Sequence, residues 1–233
     1  MNNNRRSREC VRGWVFSALL VLVGGCCVFG QELEPRAYAS IPVGLKALIG
    51  VYSISDGSVV FDPTLPIEDV TATVNGTAVG YFQSIDFFGR SGNINFFMPY
   101  AWGPMQGLVD KEFTRITRSG LGDPRFRLTF NLIGAPALKP REFAGYKQKT
   151  NLGLGFAVVA PLGQYDPNKL INLGANRWAF KPELGLSHRR DRWLLELAGG
   201  AWFFSANDQF FGSSKREQDA VSVSYTHLRA HET

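Results

Sequence analysis

The sequence predicts an all-β chain, an antiparallel transmembrane β-barrel, on three observations. Arg125-Phe126-Arg127-Leu128-Thr129-Phe130-Asn131-Leu132 alternates charged or polar residues with large apolar ones. Successive side chains of a strand point to opposite faces, so this segment has one polar and one apolar face. The first thirty residues read as an export signal. No stretch between Gln31 and Val223 approaches the roughly 18 consecutive apolar residues of a spanning helix. What appears instead is a series of segments of about ten residues separated by connectors of unequal length, the pattern of spanning strands.

The two ends are set apart from the body. Arg5, Arg6, Arg8 and Arg12 form a positive n-region, and Trp14 to Val23 an apolar stretch too short to span a bilayer as a helix. Cleavage between Gly30 and Gln31 leaves small Val28 and Gly30 at the inspected positions. The rival is the lipobox-like Val23-Gly24-Gly25-Cys26, which would make Cys26 a lipidated N-terminus. Residues 223–233 (Val-Ser-Tyr-Thr-His-Leu-Arg-Ala-His-Glu-Thr) read as an in-frame translation of a transposon-type sequencing adapter. The expected organisation is therefore a signal peptide over 1–30, a partial barrel over 31–222 and a non-native tail over 223–233. The polar Thr226–Thr233 end is expected to form no barrel strand.

Without both ends the charge balance changes. Five of the 25 Lys+Arg lie in the ends, as do two of the 20 Asp+Glu, so the body carries 20 and 18 and is nearly neutral. The basic composition thus gives no ground for nucleic-acid binding. All three cysteines (Cys10, Cys26, Cys27) lie in the leader, which excludes a disulfide framework or cysteine metal site in the body. His188 is the one histidine outside the tail, too few for a zinc site or a His-based triad. No cofactor is expected.

The strands are expected in this order: Leu45–Ser55, Val70–Phe82, Gly92–Tyr100, Asp123–Leu132, Thr150–Ala160, Trp178–His188, Arg192–Phe204, and part of an eighth near Ala220. In the second, Thr71, Thr73, Asn75 and Thr77 oppose Val70, Ala72, Val74 and Ala78; in the third, Asn93 and Asn95 oppose Ile94, Phe96 and Met98. With a periplasmic N-terminus, the external loops are Asp56–Asp69, Ala101–Gly122, Pro161–Arg177 and Ser205–Asp219. The periplasmic turns are Gln83–Ser91, Ile133–Lys149 and Arg189–Asp191, with a short helix starting at Pro140. Tyr100, Trp102, Trp178, Trp193, Trp202, Phe203 and Phe204 fall near strand ends, as in an interfacial aromatic girdle.

Facing follows from cost. An Arg or Lys directed at mid-bilayer lipid costs on the order of 2–4 kcal/mol. Arg125, Arg127, Thr129 and Asn131 are therefore expected to line the lumen, as are Lys181, Glu183 and Glu196. Their opposite charges suit either paired structural groups or a selectivity-setting constriction. Gln164, Tyr165 and Asp166 mark a candidate functional loop; one acidic residue without calcium-loop spacing favours a folded loop over an ion site. Nothing brings a nucleophile, a base and an orienting group together, which argues against an enzyme.

Several segments are similar to a known family: Glu32 to Tyr38, Phe61-Asp62-Pro63 with Leu65 to Asp69, Gly120-Leu121-Gly122-Asp123-Pro124-Arg125, and above all Pro161-Leu162-Gly163-Gln164-Tyr165-Asp166-Pro167 with Lys169 to Trp178. Over roughly Gln31 to Asp219 the chain resembles the outer-membrane proteins named for the meta-pathway of phenol degradation, labelled transporters. The resemblance implies an outer-membrane barrel acting as a channel for aromatic or other small hydrophobic compounds. The expected partners are outer-membrane lipid, the outer-membrane insertion machinery and such solutes. Two alternatives stay open: a structural or ligand-binding barrel with a plugged lumen, and a soluble periplasmic β-sheet binding protein. Family members continue with further strands, so residues 31–222 alone are not expected to close a barrel.

Overall fold

The computed structural model describes residues 36–58, 67–109, 111–169, 171–211 and 214–230. The expected leader, Glu32 to Pro35, Phe61 to Pro66 and residues 231–233 lie outside them. The strands are β1 (Lys46–Ser58), β2 (Ile67–Phe87), β3 (Arg90–Val109), β4 (Glu112–Leu121), β5 (Arg125–Ile133), β6 (Thr150–Val159), β7 (Ala179–Arg190), β8 (Trp193–Phe204), β9 (Asn207–Phe210), β10 (Ser214–Arg216) and β11 (Val221–Ala230). Among the described residues they form one nine-stranded antiparallel sheet, in the order β1-β2-β3-β5-β6-β7-β8-β11 with β4 beside β3, and a β9–β10 ribbon. The sheet curls into a half-barrel, and β1 and β11 are its edges.

Burial along β5 to β8 is inverted relative to a water-facing sheet. Arg127 and Lys181 are 5% and 2% exposed, whereas Phe126, Leu132, Phe156 and Leu184 are 45%, 46%, 45% and 51% exposed. A sheet in water buries its apolar face, so this arrangement contradicts the soluble-sheet alternative and suits a wall whose outside meets lipid. Thr129, Asn131, Asn151, Ser187 and Glu196 are also buried on the inner face.

Two connectors differ from expectation. The segment 101–122, expected as an external loop, continues β3 and returns as β4, with Tyr100 opposite Leu121 and Val109 opposite Glu112. A 20-residue strand is about 65 Å long, far more than an apolar band about 25 Å tall, so this hairpin projects beyond the bilayer. The outward face of β2 records the boundary: Val79 is exposed and apolar, then Thr77, Thr73 and Thr71 take over, with buried Ala78, Ala72 and Val70 behind them. Tyr52, Tyr100 and Trp102 cluster at this level, with ring centroids 5.8–6.1 Å apart. The segment 83–91, expected as a turn, is mostly strand. The chain reverses over Phe88 and Gly89, both at positive φ (51° and 77°), a two-residue hairpin of the type that matches strand twist. Asp86 accepts the Gly89 amide at 2.7 Å.

Of the other connectors, 59–66 of the expected loop Asp56–Asp69 lie outside the described residues, and the expected loop Ser205–Asp219 carries the β9–β10 ribbon. Residues 134–149 carry the short helix α1 (Pro140–Phe143), where Glu142 accepts the Lys139 amide at 2.9 Å. Asp191 turns the chain between β7 and β8 at φ 52°. The tail needs a correction: Thr226–Ala230, expected to form no strand, pair with Trp193–Leu197 of β8. Backbone pairing is nearly indifferent to side chain, and the edge of β8 presents a full row of partners.

Candidate functional site

The inner wall is organised around β6, whose inward positions carry little bulk. Asn151, Gly153, Gly155 and Ala157 alternate with outward Leu152, Leu154 and Phe156. Neighbouring strands lie about 4.8 Å apart, so β5 and β7 are nearly 10 Å from each other. Long side chains cross that gap only if the strand between them stays low. Arg127 on β5 reaches over β6 to Glu183 on β7, Nη2 to Oε2 2.6 Å, and Lys181 meets the other oxygen of the same carboxylate at 2.9 Å.

Trp202 closes this cluster from β8. Its ring lies 5.0 Å from Lys181 Nζ and 5.6 Å from the Arg125 guanidinium carbon. The girdle reading is thereby corrected for Trp202 and Phe204. Tyr100, Trp178, Trp193 and Phe203 are exposed on the outer face, while Trp202 faces the lumenal cations and Phe204 lies 4.6 Å under Arg177. Strand parity decides it: Glu196, Trp202 and Phe204 are an even number of residues apart and share the inward face.

A second polar layer lies toward the short-turn rim. Ser187 donates to Glu196 at 3.5 Å and accepts from Gln148 at 2.8 Å. Gln148 and Asn151 receive the segment that precedes β1: Ser40 donates its amide to Gln148 at 3.0 Å, and Asn151 donates to the Tyr38 carbonyl and the Ser40 hydroxyl, each at 3.0 Å. The Tyr38 ring rests on Gly153, Gly155 and Gly185, where a Cβ on Gly185 would clash with ring atoms. Gly153 and Gly185 are direct cross-strand partners, so the cradle is a patch of bare backbone.

The expected lumenal residues therefore divide. Arg125, Arg127, Lys181 and Glu183 meet. Glu196 does not join them; it is level with Ser187, four residues along β7 from Glu183. Thr129 is buried between the layers, and Asn131 is a fastener, donating to the Ser91 carbonyl at 3.0 Å. Sequence reasoning missed Tyr38, Gln148, Asn151, Ser187 and the inward role of Trp202. The alternate Gly153, Gly155 and Ala157 were the available signal for a crossing over β6.

The candidate loop is held by its own polar residues. Gln164 gives its amide to Leu121 O at 2.8 Å and takes the Gly174 amide at 3.0 Å. Tyr165 donates to Gln209 O and accepts from Asn207, both at 2.9 Å. Asp166 bonds Lys169 at 3.0 Å, and that bond, followed by the Asn168 amide, holds its carboxyl below the usual carboxylate value. Asp123 fastens both ends of the loop, its two oxygens accepting the amides of Gly163 at 2.8 Å and Ala175 at 2.7 Å. Ile171 borders the same small cavity as Val70, Met105 and Gly107, so the loop folds over the inward face of β2 and β3. Among the described residues no group of His, Cys, Asp and Glu is placed to hold a metal ion.

The crystal structure of an outer membrane channel from Pseudomonas putida F1 is similar to this chain, with 22% identity and a TM-score of 0.61. The match covers 86% of this chain and 71% of that one. No curated protein matches. The family described as "Putative MetA-pathway of phenol degradation" matches residues 53–231, most of the chain. With that extent of agreement, the chain belongs to this phenol-degradation family.

Proposed function

We propose that this chain forms the wall of an outer-membrane channel that passes small hydrophobic or aromatic solutes. The observation that carries the reading is the inverted burial of β5 to β8, with Arg127, Lys181 and Glu183 inside and Phe126, Phe156 and Leu184 outside. Such a wall suits lipid on one side and a polar passage on the other. The similar fold of the Pseudomonas putida channel supports a channel role, and the family's name supports aromatic solutes. Trp202, set between two cations on the inner wall, gives such solutes an aromatic surface to pass. A closed wall requires that both edges, β1 and β11, be paired, because unpaired backbone groups are costly in lipid.

A plugged structural or binding barrel is the second reading. Tyr38 in its glycine cradle favours it, since the segment before β1 occupies lumenal volume. Planar-bilayer recording on the full chain, together with efflux of a small phenol from loaded vesicles, separates the two. Discrete current steps and solute release support the channel. A silent protein that is fully inserted, shown by protease protection, supports the plug.

A further inference from the structure

We infer that the short-turn rim of the sheet is a docking surface for anionic phospholipid headgroups of the periplasmic leaflet; this rests on the membrane reading above. The rim is made by the turn between β7 and β8 and by the connector before β6. Lys147, Lys149, Arg189, Arg190 and Arg192 are all exposed there, with Asp191 the acid in their midst. The Arg189 amide bonds the Lys149 carbonyl, so the two segments are one surface. Among the described residues none of these five cations forms an ion pair. At the opposite rim Lys169 pairs with Asp166 at 3.0 Å and Lys215 with Glu217 at 2.6 Å.

The depth of the cations is fixed by what lies beside them. Outward along β7 run Leu184, Leu186, His188 and Arg190, and Trp193 pairs with Arg190. His188 meets Thr150 at 2.8 Å on that same face. Apolar side chains thus give way to His188 and exposed Trp193, and then to arginine, within three strand positions. That order is lipid tail, headgroup boundary, phosphate. Arginine offers planar paired donors that fit phosphate oxygens. Short turns mark the periplasmic end, so the phosphates belong to phospholipid of the inner leaflet.

The test uses the full chain, inserted into vesicles and extracted with its bound lipid for native mass spectrometry. The vesicles are phosphatidylethanolamine alone or with phosphatidylglycerol, cardiolipin or lipid A. We expect phosphatidylglycerol and cardiolipin to be retained over phosphatidylethanolamine by at least fivefold. That preference should fall as salt rises from 0.05 to 0.5 M and be lost in K149Q/R189Q/R190Q/R192Q. R115Q/R118Q, at the opposite rim, should retain it. The salt series on the unmodified chain decides the matter even if the quadruple variant does not insert. Equal retention of zwitterionic and anionic lipid, or retention of lipid A alone, overturns the proposal while leaving the membrane reading standing. Failure to insert into any vesicle overturns both.

Discussion

Arg127 and Glu183 sit on strands that are not neighbours, yet their side chains meet at 2.6 Å above Gly155 and Ala157 of the strand between them. The ion pair and the small residues under it are one feature: either without the other would leave a buried charge or an empty floor. Lys181 shares the carboxylate at 2.9 Å, so Glu183 is the hub of the lumenal cluster.

Removing the hub should be costly. Glu183→Gln takes the carboxylate away from buried Arg127 and Lys181, and breaking a buried pair from one side costs about 3–5 kcal/mol. Urea unfolding of the vesicle-inserted chain measures it. A triple change of Arg127, Lys181 and Glu183 to Met, Met and Leu should recover most of the loss. An additive result would show that the three do not act as a unit.

Filling the cradle should expel the tyrosine. Gly185→Val places side-chain atoms where the Tyr38 ring lies. Overpacking of this kind costs about 1–3 kcal/mol. Tyr38→Ala in the same chain should remove that cost, and tyrosine exposure to a soluble quencher should rise in Gly185→Val alone.

Asp123→Ala should loosen the mouth without disturbing β5. It strips the acceptor from the half-buried Gly163 amide, at about 1–3 kcal/mol at most for a donor left without a partner, and from the exposed Ala175 amide, which water can satisfy. Hydrogen exchange over 161–178 should quicken while that of β5 and β6 stays unchanged. Asp123→Asn, which keeps one acceptor oxygen, should give an intermediate result.

The Asp166 link has a definite pH direction. Its carboxyl is held below the unfolded value by Lys169 and the Asn168 amide. A depressed carboxylate contributes stability above its unfolded pKa, and the contribution is lost as pH falls through the folded pKa. The loop should therefore keep its protection at pH 5 and lose this part of it only below about pH 4, the unfolded carboxylate range. Asp166→Asn should remove the pH step. A step near pH 6 to 7 would point to another group.

That Arg125, Arg127, Lys181, Glu183 and Glu196 share one face of the sheet was legible in sequence because strand parity is local. Which of them meet was not, because partnership across β6 depends on register and on the bulk of a third strand. Tyr38 was illegible for the same reason: its seat is made by glycines more than a hundred residues away. The β3–β4 hairpin was misread because, beyond the bilayer, the outside becomes wet and the alternation used to find strands reverses its meaning. Trp202 was assigned to the girdle from its place near a strand end; its parity with Glu196 already placed it inside.

The central claim is that the polar face of this sheet looks inward and the apolar face meets lipid. Residues 28–233 contain no cysteine, so with Cys10, Cys26 and Cys27 changed to serine single cysteines can be read without background. Cysteines placed singly at 126, 127, 128 and 129 of β5 and at 184, 185, 186 and 187 of β7 would carry a polarity-sensitive fluorophore in the vesicle-inserted full chain. The account predicts quenching by a lipid-phase nitroxide at 126, 128, 184 and 186, and shielding from it at 127, 129, 185 and 187. The reverse alternation, or access of aqueous iodide at every position, would contradict it.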